Sequence, residues 1–160
     1  MDAFDRIAGL LDYPMFVVTT RAGDTRAGCL VGFTSQVSIY PPRFLVGLSK
    51  QNHTFRIAGE AAHLAVHLLT RNHLEVARLF GSETGDRVDK FARCTWRDGP
   101  DGLPILDGAA AWFAGPVLSR FDLGDHVGHL IAPAAGCAPE RLDGLVTYGD
   151  VRDLEPGHEA

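Results

Sequence analysis

A chain of 160 residues, 46% hydrophobic and 22% charged, has the size and balance of one ordinary globular domain. Its net charge of −5, with no dense Lys/Arg cluster, excludes nucleic acid and acidic membrane as main partners, since both select a concentrated positive face. No run approaches the ~20 apolar residues that a bilayer-spanning helix needs.

Ala3, Phe4, Ile7, Ala8 and Leu11 recur at helical spacing, so a short amphipathic helix is predicted before Pro14 stops it. Asp2, Asp5 and Arg6 interrupt its apolar residues, unlike a secretory leader. Met15–Thr20, rich in β-branched and aromatic residues, reads as a strand ending at the turn Arg21-Ala22-Gly23-Asp24. Arg26–Ser35, Gln36–Ile39 and Arg43–Ser49 read as further strands, the last two separated by Pro41-Pro42. Asn52 is placed to cap a helix over His53–Ala61, and His63–Leu69 resumes as a strand. Asn72 and Glu75 have capping-box spacing before a helix over Val76–Phe80. Gly81–Asp89 is a predicted loop, and Asp98-Gly99-Pro100-Asp101-Gly102 a dense turn signal. Ala109–Phe121 and Asp125–Ala132 follow as long strands around a tight turn at Asp122–Gly124, with Leu145–Tyr148 as a last short strand. From Asp150 the chain is acidic, and its end is expected to be loosely held.

Seven or eight closely spaced strands with two or three short helices, lacking regular strand–helix alternation, predict a mainly β fold. A closed or partly closed antiparallel β-barrel of α+β type, formed by residues 1–160 as a single domain, suits this order. Cys29, Cys94 and Cys137 are odd in number and widely spaced, as expected of reduced thiols in a cytoplasmic protein.

Neither G-x-G-x-x-G nor G-x-x-x-x-G-K-[ST] is present, so a dinucleotide-binding Rossmann unit and a P-loop are not predicted. No metal site is expected. His63 and His67 are four apart in a strand, where about 13 Å separates them, and His126 and His129, three apart, face opposite sides. Ser49, Lys50, Asn52 and Thr54 bring hydroxyl, amide and ammonium donors to a strand-to-helix turn, a pattern suited to phosphate or simply to capping a helix. Gly32, within a strand-like run, marks either a bulge or a place where a ligand approaches bare backbone. Gly124, Asp125 and His126 present a carboxylate and an imidazole at a turn; they are either ordinary turn residues or polar groups at a cleft mouth.

Taken in order, these blocks resemble the flavin reductase-like family of FMN-binding split barrels. The likeness runs from about Asp12 to Tyr148. It is carried by Val37-Ser38-Ile39-Tyr40-Pro41-Pro42, the apolar strand Phe44–Leu48, Lys50–Thr54 and His63–Leu69. Arg78-Leu79-Phe80-Gly81, Lys90-Phe91, the Trp96 block, Leu103–Ala109 and Gly124-Asp125-His126 complete it. The resemblance implies a homodimer with FMN or FAD near the subunit interface and NADH or NADPH as hydride donor. It implies a flavin ring along Gly32, Phe33, Thr34 and Ser35, and a flavin phosphate near Ser49, Lys50, Asn52 and Thr54. Lys90 and Phe91 would close over the cofactor. Gly124, Asp125 and His126 would face the nicotinamide, with His126 as the catalytic residue.

The implied activity is NAD(P)H:flavin oxidoreductase, supplying reduced flavin to a monooxygenase partner. One departure is visible. Leu30-Val31-Gly32-Phe33 stands where many family members carry polar residues, which keeps two alternatives in view: a non-catalytic flavin carrier and an interaction barrel without a ligand.

Overall fold

The computed structural model describes residues 2–82 and 88–154. Most of the predicted loop after Gly81 (residues 83–87) and the expected loose chain end (155–160) lie outside the described residues. The N-terminal helix α1 (Asp2–Ala8) forms as the periodicity predicts, but it buries no residue: Phe4 and Ile7 remain more than half exposed.

The body is two antiparallel sheets that share one long strand and so form one continuous, curled strand order. Its strands are β1 (Phe16–Ala22), β2 (Thr25–Val31), β3 (Thr34–Ser38), β4 (Arg43–Ser49), β5 (His63–Leu68), β8 (Ala111–Asp122) and β9 (His126–Ile131), in spatial order β2-β1-β5-β8-β9-β4-β3. A small hairpin, β6 (Trp96–Asp98) with β7 (Pro104–Leu106), stands apart, and β10 (Ala135–Cys137) adds to β8. The twelve-residue β8 belongs to two sheets. Its first half pairs with β5 on one side and β10 on the other, and its second half pairs with β9 after a register shift between Val117 and Ser119. Among the described residues neither β2 nor β3 has a strand partner on its outer edge, so the barrel is split there rather than closed.

The strand predicted over Met15–Thr20 from its β-branched and aromatic residues forms as β1, buried on both faces over Phe16–Thr20. Phe16 and Val18 point into the barrel with Cys29, Val31, Val46, Leu48, Leu64, Val66 and Ile131. Val17 points outward, under Val76, Ala77 and Phe80 of helix α3 (Leu74–Ser82). Helix α2 (His53–Ala58) plugs one end of the barrel with Ala58, and Arg120 donates to the Ala58 and Ala61 carbonyls at 2.9 and 2.7 Å.

Four local expectations change. The strand over Arg26–Ser35 breaks at Gly32-Phe33, where the Thr34 amide bonds back to Gly32 O at 3.1 Å and the chain passes from one sheet to the other. The second helix stops at Ala58, three residues short of its predicted end. No capping box forms at Asn72, which lies inside a 3-10 turn (Arg71–His73) that leads into α3. His73 takes Glu75 instead, Nδ1 to Oε1 at 3.4 Å. The predicted strand Leu145–Tyr148 makes only two isolated bridges before helix α4 (Tyr148–Val151), and the true capping box is there, between Thr147 and Asp150.

His67 illustrates how the layers are fastened. Fully buried, it donates from Nδ1 to the Val17 carbonyl at 2.9 Å and accepts the Leu106 amide at Nε2, 3.2 Å away. Both bonds together require the neutral ring with its proton on Nδ1. Burial, opposed only in part by the Val17 bond, lowers its pKa to about 4. The unfolded chain therefore takes up a proton below pH 6.5 that the folded chain refuses until about pH 4, so stability falls as pH drops through that window. The slope from this one group is at most about 1.4 kcal/mol per pH unit. Urea unfolding at several pH values checks it: His67→Gln should flatten the loss between pH 6.5 and 4, and an unchanged slope would remove His67 as its source.

Candidate functional site

On the β3–β4–β9 side of the split barrel lies a cleft of about 390 Å³, within the roughly 300–1,000 Å³ of small-molecule sites. It is lined by Phe33, Thr34 and Ser35, by Leu45 and Gly47, and by Leu123, Asp125 and His126.

Its floor is set by register. Gly47 pairs with Gly128 in the middle of the sheet, and its amide donates to Phe33 O at 2.7 Å. A Cβ at Gly47 would stand 3.2 Å from Phe33 O, tight enough to push it, and would reach His126 Cδ2 at 3.9 Å, an ordinary contact. A bare backbone floor between an aromatic ring and an imidazole is the consequence. Phe33 and His126 rings meet across it, centroids 4.9 Å apart and planes inclined by 52°. Behind Phe33, Tyr13 approaches at 6.4 Å and itself stacks on Tyr148 at 5.1 Å.

The rim is polar. His126 Nδ1 lies 2.7 Å from Asp125 Oδ1, and this bond, the largest influence on Asp125, holds its carboxyl below the usual range. The carboxylate fixes the proton on Nδ1 and leaves Nε2 on the opposite side of the ring. The turn is built for this placement: Gly124 takes a φ of 126°, its amide donates to Asp122 Oδ1 at 3.1 Å, and Leu123 N donates to His126 O at 2.9 Å. Lys50 joins the same turn. Its amide donates to Asp125 O at 3.0 Å and its Nζ pairs with Asp122 Oδ1 at 3.0 Å, the latter bond being the main reason the Asp122 carboxyl is lowered.

The residues singled out in the sequence are thus placed in three groups. Phe33, Thr34, Ser35, Asp125 and His126 line one cleft, with Gly124 in the turn beside it. Ser49, Lys50, Asn52 and Thr54 form the adjoining turn, where much of their bonding is internal. Ser49 Oγ accepts Gln51 N at 3.3 Å, Asn52 Oδ1 accepts Thr54 N at 2.8 Å, and Thr54 is buried. Asn52 is therefore a helix cap, and Lys50 is the member that reaches the cleft rim.

Lys90 and Phe91 lie in the interior, away from the cleft lining. Lys90 Nζ donates to the Gly28 and Phe80 carbonyls, both at 3.1 Å, and Phe91 packs edge-on against Phe80 and Trp96. Gly32 is half-buried and outside the cleft lining; a Cβ there would collide with Tyr13 and Met15 Sδ. His63 sits 3.4 Å from Asp101 and His129 is buried, and the described residues contain no group of three or more His, Cys, Asp or Glu able to hold a metal ion. Sequence reasoning missed Leu45, Gly47, Leu123 and Asp122. Only Gly47, a glycine inside a strand, carried a signal of close approach.

The donor set suits a flat, partly polar ring system. Apolar walls (Phe33, Leu45, Leu123) face a bare backbone floor, and Thr34, Ser35 and the unpaired outer edge of β3 supply hydrogen-bonding groups at the periphery. A flavin fits that description, with an ammonium at Lys50 next to it for an anionic group.

Comparison with known proteins agrees. The family model described as the flavin reductase like domain matches residues 8–149. The chain is 34% identical over 114 residues to a probable flavin reductase of Rhizobium meliloti (strain 1021), covering 69% of this chain and 36% of that protein. It is 31% identical over 146 residues to the FMN reductase (NADH) RutF of Methylorubrum extorquens (strain DSM 6343 / CIP 106787 / DM4), covering 91% and 68%. The crystal structure of nitrilotriacetate monooxygenase component B from Mycobacterium thermoresistibile superposes with a TM-score of 0.80 at 25% identity, over 91% of this chain and 80% of that one. The chain thus spans little more than a third of the length of the Rhizobium protein.

Proposed function

Because this chain belongs to the flavin reductase-like family, with its split-barrel fold, we propose that it is an NAD(P)H:flavin oxidoreductase using FMN and NADH. The observation that carries the proposal is the cleft in which Phe33 and His126 flank the bare backbone of Gly47 while Lys50 stands at the rim. A bound flavin supplies the hydride acceptor, and the rest is the work of this chain's own residues. Phe33, Leu45 and Leu123 exclude water from the ring faces. Thr34, Ser35 and the β3 backbone orient the ring, and Lys50 attracts its phosphate. Asp125 holds the proton of His126 on Nδ1, so that Nε2 is the nitrogen turned toward an incoming nicotinamide. FAD is the alternative flavin and NADPH the alternative donor.

The buried positions of Lys90 and Phe91 support an indirect part for both: they brace β2 and α3 behind the cleft instead of covering it. A homodimer follows from the same reading. Phe33, Val37, Ile39 and Tyr40 are all more than half exposed along the open β3 edge, an apolar surface of the kind that a second copy covers. The name of the mycobacterial component B supports a monooxygenase as the consumer of reduced flavin. The pairing that joins β1–β5 with β8–β10 supports residues 1–160 as one domain, and three free cysteines, with Cys137 exposed, support a reducing cytoplasm. No helix among the described residues is long and apolar enough to cross a membrane.

Anaerobic mixing of the purified chain with FMN and then NADH or NADPH tests the activity. The visible flavin band should bleach with at least one nucleotide, at a rate that rises with protein concentration. Flavin binding without nucleotide oxidation would leave a carrier, and absence of binding would leave an interaction barrel.

A further inference from the structure

Lys50 does not face the cleft rim as an uncommitted cation. Its Nζ is 3.0 Å from Asp122 Oδ1, and the Asp125 carboxylate acts on the same neighbourhood through space. Asp122 is also tied to the turn, because the same Oδ1 accepts the Gly124 amide at 3.1 Å. The ammonium is therefore paired with the Asp122 carboxylate and acts weakly through space on that of Asp125, which is lowered mainly by its His126 bond. An anionic group that approaches Lys50 must compete with a carboxylate covalently held in place, and meets local charge that is negative until that contact is exchanged.

Resting on the flavin reading above, we propose that Asp122 is a specificity-determining residue that competes with the flavin phosphate for Lys50 and so keeps phosphorylated flavin loosely held. The chemistry is an exchange of one oxyanion for another on the Lys50 ammonium, with no bond made or broken. Both partners are well exposed, Lys50 by 39% and Asp122 by 74% of the side chain, so the contact is weak enough to exchange in solution. Its consequence is a flavin whose phosphate adds little to its affinity, suited to a protein that releases reduced flavin to another enzyme.

Flavin fluorescence titration of the full chain with FMN and with riboflavin, which lacks the phosphate, tests the proposal. Asp122→Asn keeps an oxygen for the Gly124 amide but removes the competing charge. It should tighten FMN by about 2- to 5-fold at low salt and leave riboflavin unchanged. The gain should shrink at high salt and vanish in a Lys50→Met background. Asp122→Ser should repeat the effect if the asparagine variant folds poorly.

Unchanged or weaker FMN binding in both Asp122 variants, or an equal shift for FMN and riboflavin, overturns the proposal. The underlying reading fails separately. If Lys50→Met does not lower the preference for FMN over riboflavin, the phosphate is not at Lys50, and the proposal falls with it. If that variant does lower it while the Asp122 variants do not tighten FMN, only the competition is wrong.

Discussion

Replacing His126 with alanine is expected to slow flavin reduction by NADH about 10- to 100-fold while altering FMN affinity less than about threefold. The imidazole is the only ring with nitrogen atoms among the residues lining the cleft, and Asp125 holds it through one of them at 2.7 Å. On the proposed function, flavin contacts would be spread over Phe33, Thr34, Ser35 and the floor at Gly47, so losing one wall should cost affinity little. Loss of a positioned donor should instead appear in the reduction rate. His126→Phe separates chemistry from packing, because it keeps a ring against Phe33 without the nitrogens. Single-turnover reduction measured in both variants decides: if phenylalanine restores the rate, the ring acts by packing, and if both variants reduce flavin like the parent, His126 has no part in turnover.

Gly115→Ala should be the most damaging small substitution in the chain. Gly115 lies in β8 where that strand leaves β5 and turns toward β9, and a methyl group there would run into the carbonyl of Ala132. Neither side can yield easily, since the obstacle is backbone: Ala132 N also donates to Pro116 O at 3.1 Å, and Pro133 Cα closes the space behind. A loss of about 3 kcal/mol is expected, near the upper end for overpacking, or about 6–12 °C in Tm for a domain of this size. Gly59→Ala is the matched control. Its φ is −62°, and a Cβ would meet only the Phe55 and Arg56 carbonyls at 3.5 Å, so its effect should stay within about 0.5 kcal/mol. Thermal unfolding of the two variants side by side gives the comparison, and similar Tm values would show that the β8–β9 crossing has slack that the packing does not suggest.

The residues that made the barrel legible are those whose burial repeats locally. Met15–Thr20 announced a strand, and Asp122–Gly124 announced a tight turn, because in each the cause lies within a few residues of the effect. Readings failed where a distant partner decided the outcome. Asn72 has a good capping sequence, yet Thr70 is drawn into a bridge with Leu145 and Arg71 N into a bond with Gly144 O, which winds the segment into a 3-10 turn first. Gly32 signalled a bulge or a close approach but not a full break at Gly32-Phe33, since the residues that crowd it, Tyr13 and Met15, lie far back in the chain. In the site, Phe33–Ser35 and Asp125-His126 were readable from local pattern and family likeness. Asp122 was not, because its partner Lys50 is 72 positions away in the chain and carboxylates at hairpin tips are common.

Because β8 serves as a rail for both sheets, neither half of the barrel owns a complete set of backbone partners without the other. Releasing β9 strips the far end of β8, and releasing β5 strips the near end, so damage on one side is inherited by the opposite side. A molecule so joined is expected to melt as one unit. The cleft, whose walls come largely from β3, β4 and β9, thereby depends on strands that never touch it, and the integrity of the half that carries it is set as much by His67 and Ala114 as by the residues that line it.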